Sequence, residues 1–137
     1  MKDQLEQSGR AFLAEALHGA LATVCADGSP YVVPVHLFFD DTKLYWFSSA
    51  DTQHSQNIAR DPRVSITLWL SSPDTPSRAV YIQSQAQRVE GDEADHAHQA
   101  ARERLQSPQF DSLPAYQIPL GKLDEARSSE KRWNFYT

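Results

Sequence analysis

The stretch TQHSQNIARDPRVSITLWL, Thr52–Leu70, changes its structural period in the middle. Asp51 or Thr52 offers a side-chain oxygen that caps a helix, and Thr52–Arg60 reads as that short helix. Asp61-Pro62 ends it, because proline disfavours the helical conformation of the residue before it. Arg63–Leu70 then follows as a strand rich in β-branched and aromatic residues. A helix feeding a strand is a crossover, not a hairpin.

Upstream of this crossover the chain reads as strands. Ala20–Ala26 (ALATVCA) is short and apolar, and Asp27-Gly28-Ser29-Pro30 is a strong turn signal. Tyr31–Phe39 (YVVPVHLFF) predicts a second strand in which Pro34, unable to donate to a ladder, marks a bulge or an unpaired side. Leu44–Ser49 (LYWFSS) predicts a third, giving three antiparallel strands. Ahead of them, Leu5, Phe12, Leu13, Ala16 and Leu17 recur at helical spacing over Lys2–His18, with His18-Gly19 as the stop.

Downstream, Ser71–Ser77 with Pro73 and Pro76 reads as an exposed loop, and Arg78–Glu90 alternates as a fifth strand. Asp92–Leu105 predicts a helix with acidic residues first, arginines last and a narrow stripe of Ala94, Ala97, Ala101 and Leu105. Beyond Pro108 the pattern weakens, although Tyr116–Leu120 suits a last short strand. The expectation is one α+β, mainly β, domain over residues 1–137. It is a split β-barrel of about six antiparallel strands with a short crossover helix and flanking helices. The helix spans 1–18, the barrel core 20–90, the second helix 92–105 and a C-terminal segment 106–137.

Composition narrows the function. With 13 Lys and Arg against 18 Asp and Glu, the net charge of -5 disfavours nucleic acid as a partner. No run approaches a membrane span, and no signal-peptide pattern opens the chain, so the expectation is a cytoplasmic protein. Cys25 is the one cysteine, so no internal disulfide forms, and its apolar strand suggests a buried small hydrophobe. His96 and His98, with Asp92, Glu93 and Asp95, invite a metal reading, but residues two apart on a helix face different ways; no metal site is expected. Trp46 and Trp69 read as core, whereas Trp133, in a basic tail, is placed to cover a ligand or a partner subunit.

Two motifs carry a family resemblance: Asn57–Ser65 (NIARDPRVS) and Ala22–Pro30 (ATVCADGSP). Together with the order of elements they resemble the pyridoxamine 5'-phosphate oxidase-like flavoproteins over about half the chain. The resemblance implies a homodimer holding FMN at its interface and an oxidoreductase acting on a small-molecule substrate. The implied cofactor contacts are Val32, Val33, Pro34, Val35, His36 and Leu37 on the second strand and Phe47, Ser48 and Ser49 at the end of the third. Gln53 and His54 opening the crossover helix and Arg78 and Ala79 entering the fifth strand complete the set. A helix start provides free N–H groups and a positive dipole end for a phosphate. Val35 and His36 are the candidates for the isoalloxazine ring.

The sequence also departs from the family. Where pyridoxamine phosphate oxidases place Arg or Lys, this chain has Val32, Leu37, Gln53 and His54. A charge-assisted hydrogen bond is worth roughly 1.5–3 kcal/mol, so losing several argues against pyridoxamine phosphate oxidase activity unless Arg78, Lys131 or Arg132 compensates. The alternatives are a flavin or haem carrier without turnover, an F420-dependent reductase, or a cofactor-free dimer. No side chain is singled out as a catalytic acid or base.

Overall fold

A computed structural model describes residues 1–137. Its elements are α1 (Lys2–Glu15), β1 (His18–Val24), β2 (Pro30–His36), β3 (Phe38–Asp40), β4 (Lys43–Phe47) and α2 (Gln53–Arg60). They are followed by β5 (Arg63–Ser72), β6 (Thr75–Gln85), β7 (Gln87–Val89), α3 (Gly91–Leu105), β8 (Ala115–Pro119), β9 (Lys122–Leu123), a 3₁₀ turn (Glu125–Arg127) and β10 (Arg132–Tyr136). The strands form a six-stranded sheet, β2-β1-β5-β6-β10-β9, and a four-stranded sheet, β3-β4-β8-β7. This is a split barrel of mainly β, α+β type.

The split is made by two strands that change sheets. The apolar run Tyr31–Phe39 is not one strand: it pairs with β1 as far as His36, passes Leu37, and resumes at Phe38 in the other sheet. Leu37 is fully buried at this corner. The expected fifth strand divides in the same way at Ala86, which is also buried. A continuous apolar run hides such a corner, because both halves are buried. Pro34 sits on the edge strand β2, where proline is tolerated.

Other expectations shift for identifiable reasons. The first helix stops at Glu15, not His18, since Gly19 is already in β1. A Cβ on Gly19 would approach Leu37 Cδ1 and the Thr67 carbonyl to 2.7 Å, so close strand packing claims that glycine. Ser71–Ser77 is exposed, but most of it is hydrogen-bonded: β5 runs to Ser72 and β6 resumes at Thr75 around a tight turn. Tyr116–Leu120 falls on β8, the strand between β4 and β7.

The tail is strand too. Ten strands replace the expected six, and β10 runs parallel to β6, so the barrel is not purely antiparallel. Trp133 and Phe135 alternate inward along β10. Trp133 therefore belongs to the core: it stacks on Phe12 at 5.5 Å and donates its indole N–H to Ser8 Oγ at 3.1 Å. Trp46 is core as expected, whereas Trp69 is 51 % exposed. Cys25 is half-buried just past β1 and accepts a long contact from the Asn57 amide.

Two apolar clusters result. The larger lies between the sheets and under α1; the smaller, with Phe38, Tyr45, Phe47, Ala97 and Ala101, lies between the four-stranded sheet and α3. The crossover helix is held by polar groups. Asn57 is fully buried; its amide donates to Thr23 Oγ1 at 2.9 Å, and its Oδ1 accepts from Gln53 Nε2 at 2.8 Å and from Arg60 at 3.3 Å. Arg60 also donates to the Val24 carbonyl at 2.5 Å. Past the helix, Asp61 holds the Arg63 guanidinium and backbone N–H, and these hydrogen bonds bring its carboxyl down to about 2.

Truncating Asn57 removes the amide that Thr23, Gln53 and Arg60 bond and frees the helix. Asn57→Ala is expected to lower unfolding free energy by about 1–3 kcal/mol in urea titration; an unchanged midpoint would contradict this role.

Candidate functional site

The end of β4 and the start of α2 meet through side chains. Thr52 caps α2, its Oγ1 accepting the Ser55 N–H at 3.2 Å and lying 2.7 Å from Ser55 Oγ. That fixes the first turn, so that His54 Nε2 shares a 2.8 Å hydrogen bond with Ser48 Oγ. Ser48 is itself tethered, its N–H donating to the Pro114 carbonyl at 3.2 Å. The backbone N–H groups of Gln53 and His54 have no partner in the chain, as the opening of a helix requires.

Ser48 and His54 open onto a cleft of about 300 Å³. Pro34, Val35 and His36 of β2 form one wall, and Phe47, Ser48 and His54 another. Gln109 and Phe110, from the segment between α3 and β8, form the third. The aromatic rings interlock. Phe110 stacks on Phe47 with centroids 5.5 Å apart and meets His36 edge-on at 5.5 Å. His98 supports Phe47 from behind at 4.9 Å and is itself within 2.7 Å of the Leu113 carbonyl.

No Asp, Glu, Lys or Arg lines this cleft. Its two imidazoles are biased toward the neutral form: burial lowers the pKa of His54, and burial, followed by the neighbouring His18, lowers that of His36. A larger hollow of about 590 Å³ lies between the start of α1 and residues 125–130. It gathers none of the nominated residues and little chemistry beyond Glu125 and Glu130.

Six of the thirteen nominated residues therefore share one cleft. The others lie elsewhere. Val32 is 62 % exposed on the outer sheet face, Val33 packs against the core, and Leu37 is enclosed in it. Ser49 Oγ accepts the Asp51 N–H, and Gln53 is engaged with Asn57. Arg78 pairs with Glu15 at 3.3 Å and lies over the Phe12 ring, while Ala79 is buried in β6. Arg132 is committed to Ser77, so neither arginine brings charge to the cleft within one chain.

Gln109 and Phe110 were not legible as site residues. The segment around them has no period, and its position depends on long-range ties: Arg102 pairs with Asp111 at 3.0 Å and Pro114 receives Ser48. An aromatic residue in a polar loop was the only signal. His96, nominated against as a ligand, contacts Asp40 at 2.7 Å, and no group of three metal-ligating side chains exists in the chain.

A family model described as pyridoxamine 5'-phosphate oxidase matches residues 5–128. The chain belongs to that family. No curated protein matches it. Among solved structures, this pyridoxamine 5'-phosphate oxidase family member is similar to a protein of unknown function from Agrobacterium tumefaciens (TM-score 0.73, 20 % identity, 86 % of this chain and 54 % of that one). It is also similar to a haem-binding protein from Mycobacterium smegmatis (0.68, 25 %, 81 % and 49 %) and to an FAD-binding protein from Mesorhizobium loti (0.67, 19 %, 83 % and 86 %). The chain spans about half the length of the first two. No helix is long and apolar enough to cross a membrane.

The depressed imidazole pKa values make a stability prediction. As pH falls, unfolded histidines near 6.5 take up protons before His36 and His54 do in the folded chain. Their contribution is thus complete above pH 6.5 and lost as pH falls through the lower folded values. Thermal melts are expected to show a smaller drop between pH 7.5 and 5.5 for the His36→Asn/His54→Gln double variant than for the parent. An equal drop would remove the two residues from the acid response.

Proposed function

We propose that the protein binds FMN in this cleft as an oxidoreductase of its family, with a second copy of the chain closing the site. The observation that carries the reading is the convergence on one cleft of an interlocked aromatic wall, an edge strand and a capped helix start with unpaired N–H groups. These residues fit a flavin. Phe47, Phe110, Val35 and His36 suit a flat ring, and Ser48 and His54, with its unpaired backbone N–H, suit a phosphate. The fit is unusual only in lacking a cation.

Bound flavin supplies hydride transfer. The chain's own residues bind and orient it: the aromatic wall excludes water, and the Ser48–His54 pair holds hydrogen-bonding groups at a fixed position. No strong acid or base lines the cleft, and none is needed for this role. The missing cations also argue against pyridoxamine 5'-phosphate as substrate.

A self-partner is supported by the outer face of the six-stranded sheet. The register puts Val32, Trp69, Tyr81 and Tyr136 on the face opposite Leu21, Ile66 and Ile82, and all four are more than a third exposed. Exposed apolar and aromatic side chains on one sheet face, here interleaved with Ser65, Thr67, Gln83 and Asn134, are of the kind a partner covers. Pro34 belongs both to this face and to the cleft, so a copy docked here would wall the site.

Haem is the second reading, favoured by His36, a neutral imidazole on the cleft wall beside His18 at 4.4 Å. The absorption spectrum of the purified protein distinguishes them. Titration with FMN is expected to quench flavin fluorescence at one equivalent per chain, whereas no FMN retained at micromolar protein, or a Soret band in its place, would overturn the flavin reading. Sedimentation is expected to give a dimer, and Tyr81→Glu a monomer; a monomeric parent would contradict the self-partner.

A further inference from the structure

We infer that a second pocket, between α1, β3 and α3, binds a small aryl monocarboxylate, with its ring among apolar walls and its acid group on Arg104. Such binding is independent of any flavin in the cleft.

The walls suit a ring. The pocket has a volume of about 190 Å³ and is formed by Leu13 and Leu17 of α1, by Leu37, Phe38 and Phe39 at the corner between the sheets, and by Ala100 of α3. Leu13, Leu37 and Phe38 are buried members of the two apolar clusters, so the floor of the pocket is core surface. Ala14, Ala16 and Ala100 bring only methyl groups to the space between the helices, and it stays unfilled. Protein interiors leave few voids larger than a water molecule, and an apolar cavity of roughly 150 Å³ with walls of this kind stays dry and takes up benzene. The pocket is distinct from the cleft. No residue lines both, and the Phe38 ring, a wall of this pocket, meets Phe47 at 5.7 Å and Phe110 at 5.9 Å on the cleft side.

The charge is at the ends. Asp40 and Arg104 are the two charged residues of the lining. Asp40 is engaged, its Oδ2 lying 2.7 Å from His96 Nε2. Arg104 is exposed and makes no ion pair: its Nη2 donates to the Ala14 carbonyl at 3.0 Å and the Glu15 carbonyl at 3.5 Å, and its Nε and Nη1 donate to no group of the chain. His96, Ala100 and Arg104 follow at i, i+4 and i+8 on one face of α3. His96 and Arg104 are thus two turns, about 12 Å, apart along the helix. The acid held by His96 and the unpaired guanidinium therefore mark opposite ends of the pocket, with Ala100 between them. A carboxylate at the Arg104 end gains charge-assisted hydrogen bonds, and a ring over Ala100 then turns an apolar edge toward Asp40. A second acid group on the ligand would fall near Asp40, which selects a monocarboxylate.

The test is calorimetric titration of the intact protein with phenylacetate. One equivalent is expected to bind per chain. Benzyl alcohol, which has the ring without charge, benzylamine, which carries the opposite charge, and acetate, which lacks the ring, are each expected to bind at least about tenfold more weakly. Arg104→Gln, at an exposed position, is expected to weaken phenylacetate about tenfold, and Arg104→Lys to recover part of that loss. Ala100→Leu fills the space and is expected to abolish binding. Thermal melts separate loss of the ligand from unfolding of a variant.

No saturation at millimolar phenylacetate, or benzyl alcohol bound as tightly as phenylacetate, would overturn the site. So would unchanged phenylacetate affinity in a folded Arg104→Gln or Ala100→Leu variant, whatever the outcome with FMN.

Discussion

The position of α2 depends on the buried amide of Asn57. It lies at the centre of a hydrogen-bond network joining the crossover helix to β1, with Thr23, Gln53 and Arg60 as partners. A fully buried amide is stabilising only when its donor and acceptor are both satisfied, so the helix has one docked position and not a range. That position sets His54 against Ser48 on the cleft wall. Without it, α2 is an eight-residue helix, too short to be stable alone.

The sheet switches supply the other half of the geometry. Because the chain leaves the six-stranded sheet at Leu37, β2 ends beside β4, and the edge of one sheet and the last residues of the other bound a common space. The same switch leaves Val35 and His36 at the end of an edge strand. A site between two sheets is open on one side, and the proposed self-pairing on the outer face that includes Pro34 would close it.

How much of this was legible follows from the range of the interactions. The crossover helix, its Thr52 cap and its proline stop are local, and they read correctly from Thr52–Pro62. The matching of the split barrel followed from element order and from the family motif. The corners at Leu37 and Ala86 did not read, because a strand that changes sheets stays buried on both sides of the corner and its sequence shows no break. The parallel pairing of β10 with β6 spans more than fifty residues and has no local signature; only the alternation of Trp133 and Phe135 hinted at a strand. Phe110 was invisible for a related reason, since its place in the cleft is set by Arg102, His98 and Ser48 and not by its neighbours in sequence. Arg78 read as a free cation from sequence, and Glu15, sixty-three residues away, removes it.

Under the proposed flavin reading, the cleft offers aromatic rings and neutral hydrogen-bonding groups and no formal charge from its own chain. Charge gives long reach and salt dependence, whereas stacking gives shape selection at contact distance. The most direct measurement is a crystal structure of the protein grown with FMN. The isoalloxazine ring is expected against Phe110 and Val35, with the phosphate near Ser48 and the start of α2. A flavin bound away from this cleft, or one held through Arg78 or Arg132 with its ring clear of Phe110, would contradict it.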